Sequence, residues 1–151
     1  MEKADTNIPA RYQQLIIMWI GLFNSQILFI VLIYFSKSEL FSFDPPGPAL
    51  GDNPPVTIAF AIIAITLVGA SFVLKSIYYK RSVDAQDPEL VKTGLIIAMA
   101  LCEGASLLGV LSAFVFNYQY FFAFIALALA GMIFHFPMRS TLMNATHARK
   151  L

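Results

Sequence analysis

The sequence predicts an all-α integral membrane protein: four transmembrane helices in two antiparallel hairpins, with the N and C termini inside. Three observations lead there. Hydrophobic residues make up 58% of the 151 and charged residues only 13%, about half the charged share of a soluble domain. The apolar residues gather in four runs, 15–35, 56–79, 91–116 and 120–138, each near the ~20 residues that cross a bilayer core. Nine of the ten basic residues fall in the N-terminal tail, the second connection or the C-terminal tail, and one, Lys37, falls in the first loop. That bias places both termini and the second connection on the cytoplasmic side.

The elements follow in order. The first helix is expected over about 13–35, opening after Pro9-Ala-Arg-Tyr12 with proline in its first turn. Its apolar run is too long for a signal-peptide core, and no small-x-small cleavage site follows, so it is retained. The external loop, 36–55, holds Pro45, Pro46, Pro48, Pro54 and Pro55 with Gly47 and Gly51. Such a segment turns and cannot form a helix. It is either a connector or, with Glu39, Asp44 and Asp52, an acidic docking loop. The second helix is expected over 56–79, the third over 91–116 and the fourth over 120–138. Only about three residues separate the last two, which forces an antiparallel pair. The whole chain, 1–151, reads as one transmembrane domain, in the inner or plasma membrane of a prokaryote.

Composition excludes several functions. A net charge of +1 and the lack of a basic face argue against nucleic acid. One cysteine, Cys102, cannot form an internal disulfide. The histidines lie far from it in sequence and in no ligand spacing, so neither a metal site nor a cofactor is expected. No nucleophile, base and acid share a depth, so no enzyme is expected. Asn144-Ala-Thr146 fits a glycosylation triplet, but its cytoplasmic position makes the match fortuitous.

Glu103 is the residue that stands out. It lies in Ala98-Met-Ala-Leu-Cys-Glu-Gly-Ala-Ser-Leu-Leu-Gly109, near the middle of the third apolar run. A charge at a helix centre costs about 2.5–3.5 kcal/mol, which makes such a residue a functional candidate. Away from cations, burial favours its neutral, protonated form. Counting residues from the cytoplasmic end puts Asn24, Ser25 and Gln26 at its level, so Asn24 and Gln26 join it as candidate ion- or proton-binding residues. His135 falls too near the cytoplasmic end of its run to join them, and Lys75 should snorkel to the interface. Beside Glu103, Gly94, Ala98, Cys102, Ala105, Gly109 and Ser112 recur at three- and four-residue steps. They form a face that lets another helix approach closely.

The stretch 86–115, with its polar Gln86-Asp-Pro-Glu89 and Ala100-Leu-Cys-Glu103, resembles the outer helix of the rotary ATP synthase proteolipid, subunit c. The resemblance implies that Glu103 is an ion-binding carboxylate and that 86–89 is a cytoplasmic polar loop. The second helix differs from that family: it carries Ala61, Ala64, Gly69, Ala70 and Ser71 in place of a Gly-x-Gly-x-Gly repeat. The expected function is therefore an accessory or assembly subunit of a larger membrane complex, docking through the small-residue face of the third helix. A proton- or ion-handling proteolipid-like protein is the alternative. A third reading is a lipid- or small-molecule-binding bundle, with Glu103, Asn24 and Gln26 lining an internal cavity. The expected partners are the lipid bilayer and other membrane subunits or copies of itself.

Overall fold

The computed structural model describes residues 8–42 and 47–147, with side chains from 9 to 143 outside the gap. Lys3, Asp44, Pro45, Pro46, Arg149 and Lys150 lie outside the described residues, as do the side chains of the 144–146 triplet. Five α-helices account for most of the chain: α1 (Ile8–Ser36), α2 (Pro54–Ala85), α3 (Pro88–Phe116), α4 (Phe122–Phe134) and α5 (Arg139–His147). No strand occurs among the described residues. Three segments, Pro9–Ser36, Pro54–Ala85 and Pro88–Phe116, are long and apolar enough to cross a membrane, which is the character of an integral membrane protein.

Local chemistry sets the helix ends. Pro54 and Pro88 open α2 and α3, where the missing N–H is not needed. The Asp87 carboxylate caps α3 by accepting from the Glu89 N–H at 2.9 Å. Gln86 ends α2 and Asn117 ends α3, both in the left-handed region. Only Gln86 and Asp87 separate α2 from α3, so the expected second connection is far shorter than the polar run suggested.

α3 is the central helix. Against α2, contacts pair Tyr78 with Gly94, Leu67 with Gly104 and Phe60 with Phe116. The partners move in opposite directions along the two helices, so these are antiparallel. Against α4, Gly109 meets Phe121, Phe124 and Ile125, and Cys102 meets Gly131, again antiparallel. α1 relates to α3 differently. Arg11 pairs with Glu89 at 3.2 Å, Lys92 donates to Gln14 at 3.2 Å, and Ser25 meets Glu103 at 2.8 Å. All three pairs share a separation of 78 residues, so α1 and α3 run parallel in one register.

Two expectations are corrected here. The first two helices do not form a hairpin: α1 packs on α3 and α4, and hardly touches α2. The first loop makes this possible, because the residues between Ser36 and Pro54 can reach on the order of 55 Å. It crosses over the α3–α4 turn and is fastened there. Gln119 accepts from the Gly47 N–H at 2.7 Å and donates to the Ser42 carbonyl at 2.6 Å. Tyr118 donates to Ala49 at 2.8 Å, Tyr120 to Gly47 at 3.1 Å, and Lys37 to Asn117 at 2.6 Å. The described part of this loop therefore holds its own chain together. Burial, and then the neighbouring Tyr120 hydroxyl, hold the Tyr118 phenol above the ordinary tyrosine range, so it stays a donor.

The second correction concerns the fourth run, 120–138. It is not one helix: α4 has 13 residues, about 20 Å of rise. Pro137 stops it, because the ring lacks an N–H and collides with the carbonyl four residues earlier. The chain then breaks over 135–138 and resumes as α5.

Candidate functional site

Two polar clusters lie at the middle level of the bundle, on either side of α3. The first is built on Glu103. Ser25 Oγ lies 2.8 Å from Glu103 Oε1 and 2.8 Å from the Leu22 carbonyl oxygen. The hydroxyl carries one proton, which it can share between the two oxygens in a three-centre bond. In the other arrangement Ser25 donates to Leu22 alone and a neutral Glu103 carboxyl donates to Ser25. Glu103 is partly exposed on the bundle surface.

The residues flanking Ser25 go elsewhere. Consecutive residues on a helix point about 100° apart. Asn24 therefore faces outward, exposed and with no side-chain hydrogen bond among the described residues. Gln26 faces inward, fully buried, and neither its amide nitrogen nor its oxygen has a partner among them. Of the residues expected at this level, the structure joins Ser25 to Glu103 and leaves Asn24 and Gln26 apart.

The second cluster is one that sequence reasoning missed. His135 is fully buried, and its Nε2 lies 2.7 Å from Ser71 Oγ. Cys102 Sγ lies 3.7 Å from the same oxygen. Cys102 is the midpoint of α3, and Ser71 stands near the middle of α2. His135 is thus at mid-bundle and not near an end, because α4 stops there instead of continuing. The histidine that is far from Cys102 in sequence reaches it through one serine.

Proton counting also assigns this cluster. Ser71 Oγ lies 2.6 Å from the Val68 carbonyl. If Ser71 donates to Val68, it accepts from His135 Nε2–H and from the Cys102 thiol, and every contact is satisfied. His135 Nδ1 is then a bare acceptor, and it has no partner among the described residues. The contacts tie α2 to the end of α4 and, through Cys102, to α3.

The end of α4 is held by two other helices. Trp19 Nε1 of α1 donates to the Met132 carbonyl at 2.9 Å, and Lys75 Nζ of α2 donates to the Phe134 carbonyl at 3.1 Å. A cation at a helix C-terminus also meets the negative end of its dipole. Lys75, expected to snorkel to an interface, instead caps a helix that ends inside the bundle.

The small-residue face is occupied within the chain. Gly94, Ala98, Cys102, Ala105, Gly109 and Ser112 are all buried. A Cβ at Gly94 would lie 2.5 Å from Tyr78 Cβ, and one at Gly109 would lie 3.0 Å from the Phe121 carbonyl. The expected docking of another subunit on this face is corrected: α2 and α4 already cover it. Asn24 faces outward and Gln26 inward, so with Glu103 they do not line the expected cavity together; a cleft lies elsewhere, between α2, α3 and the end of α4. No group of three or more metal-ligating side chains occurs among the described residues.

No protein-family model matches the chain, and neither a curated protein nor a solved structure is significantly similar to it.

Proposed function

We propose that this protein is a small accessory or assembly subunit of a membrane complex, and that it docks through the outward face of α1. Asn24 carries the reading. It is exposed at membrane depth and unpartnered, and polar side chains at that depth seek a partner on a neighbouring helix. Its surroundings suit a helix contact. Ile17, Gly21, Asn24, Leu28, Val31 and Phe35 follow one another at alternating steps of four and three, the spacing of a coiled-coil seam. All six are exposed, with Ile17 at 60%, Leu28 at 63% and Phe35 at 80%. A cysteine placed at Asn24 and oxidised in the native membrane should give a covalent adduct with a neighbouring chain. Cysteines at Asn24, Gly21 and Leu28 that all stay monomeric would sink the reading.

The topology adopted with it has four membrane-embedded segments, the fourth only partly crossing, and both termini cytoplasmic in a prokaryotic inner or plasma membrane. The basic residues Arg11, Lys80, Arg81, Lys92 and Arg139 then share one side.

A second reading has its own support. Ser25 Oγ lies 2.8 Å from both Glu103 Oε1 and the Leu22 carbonyl, an arrangement that a neutral Glu103 carboxyl satisfies by donating to the serine. This is the chemistry of a membrane proton site, and it agrees with the subunit c resemblance of 86–115. A carbodiimide should then modify Glu103 selectively and pH-dependently, and Glu103→Gln should abolish labelling while leaving assembly intact. An unlabelled protein at every pH would exclude this role.

A further inference from the structure

Where α4 stops, α2 and α3 continue. The missing half of a fourth helix leaves a cleft of 480 Å3 between α2, α3 and the two ends of the broken segment. That volume is within the range of ligand sites, about 300–1,000 Å3. One part of its wall is apolar: Phe72, Val91, Leu95 and Phe134. The other part offers only donors and hydroxyls: Lys75, Ser76, Tyr79 and Thr141. No carboxylate lines it. The ammonium of Lys75 has three donors, and the Phe134 carbonyl takes one of them.

We propose that this cleft holds one acidic phospholipid, with an acyl chain against the apolar wall and its phosphate toward Lys75. Charge complementarity selects the occupant. A zwitterionic lipid would fill the apolar wall equally well but would bring its own cation to the lysine. A lipid also completes the layer that α4 leaves unfinished, covering Phe72 and Phe134, both of which are exposed. The site shares no residue with Glu103 or with the α1 seam, so it stands whether or not either of those readings holds.

The test is native mass spectrometry of the full chain in mild detergent, titrated with phosphatidylglycerol and separately with phosphatidylcholine. One phosphatidylglycerol per chain should bind about fivefold tighter or better, the scale set by one basic residue at a membrane surface. Lys75→Met should reduce phosphatidylglycerol to the level of phosphatidylcholine, and Lys75→Arg should restore it. Because Lys75 also caps α4, Thr141→Trp serves as the second variant. It leaves the lysine and its bond in place, adds bulk at the rim, and should prevent the stoichiometric complex. Equal binding of the two lipids, or phosphatidylglycerol binding that survives both Lys75→Met and Thr141→Trp, would overturn the proposal.

Discussion

His135 Nε2 and Ser71 Oγ meet at 2.7 Å across 64 residues of chain, in the fully buried middle of the bundle. The contact fixes where α4 ends relative to α2. With the imidazole in its Nε2–H tautomer, the ring donates and the serine gives its own hydrogen bond to the Val68 carbonyl. Ser71→Ala would leave a buried ring nitrogen without its partner, which costs about 1–3 kcal/mol. The double variant Ser71→Ala with His135→Leu removes both partners and should cost less than the two single changes together. Thermal unfolding of the four proteins in one detergent measures the coupling, and strict additivity would contradict the bond.

This cluster marks the limit of what the sequence made legible. Three long apolar runs became α1, α2 and α3, because twenty or more apolar residues leave few alternatives to a helix. The small residues of α3 proved buried as a set, since their spacing defines one face whatever covers it. Residue counting also found the level of Glu103's partner. It could not find the azimuth, so Ser25 makes the contact while Asn24 and Gln26 point away from it. The run 120–138 read as one helix puts His135 near an end, whereas the break before Pro137 leaves it at mid-bundle. Pro137 was in plain sight, and a proline inside an apolar run is the mark that would have split it.

Five of the helical glycines fall into two groups that should respond oppositely to alanine. Gly94, Gly109 and Gly131 have no room for a Cβ, with contacts at 2.5, 3.0 and 2.8 Å. Alanine there should destabilise by about 1–3 kcal/mol, as overpacked cores do. Gly21 and Gly69 have nothing within 4 Å, and alanine there should stabilise the isolated chain by about 0.5–1 kcal/mol. Gly21→Ala carries a further expectation, because it lies on the α1 seam: a more stable chain with weaker cross-linking at Asn24. Melting temperatures and adduct yields measured together check both halves.

The Ser25–Glu103 contact should be worth about 0.6 kcal/mol, at most about 1.7, the range for hydrogen bonds between membrane helices. Ser25→Ala should therefore lower stability only slightly. On the proton-site reading, Glu103→Gln should match the native protein, because the amide N–H takes the place of an acid proton. Glu103→Lys should be the severe change, putting an obligate cation beside Ser25. A Glu103→Gln variant much less stable than the native protein would count against that reading.

The loop over the α3–α4 turn should loosen when its fastenings are cut. Tyr118→Phe removes the bond to Ala49, worth about 1 kcal/mol, and should speed proteolysis of the loop about fivefold. The fastening has a pH dependence of known sign. The folded chain holds the phenol proton more tightly than the unfolded chain, so the unfolded form ionises first, from about pH 10. Stability from this contact is full below that pH and declines above it. A Tyr118→Phe variant should lose that decline, as limited proteolysis between pH 8 and 11 would show.

The constant separation of 78 residues between α1 and its partners on α3 has a consequence for synthesis. At about 5–20 residues per second, Glu103 is joined to the chain roughly 4–16 s after Ser25. Through that interval α1 is without its α3 partner. Its apolar run is long enough to stay inserted, and the Ser25 hydroxyl has only the Leu22 carbonyl of its own helix to bond. A chain halted before the third helix would therefore display α1 with Ser25 uncovered, at the stage when a quality-control protease or an insertion factor can read it.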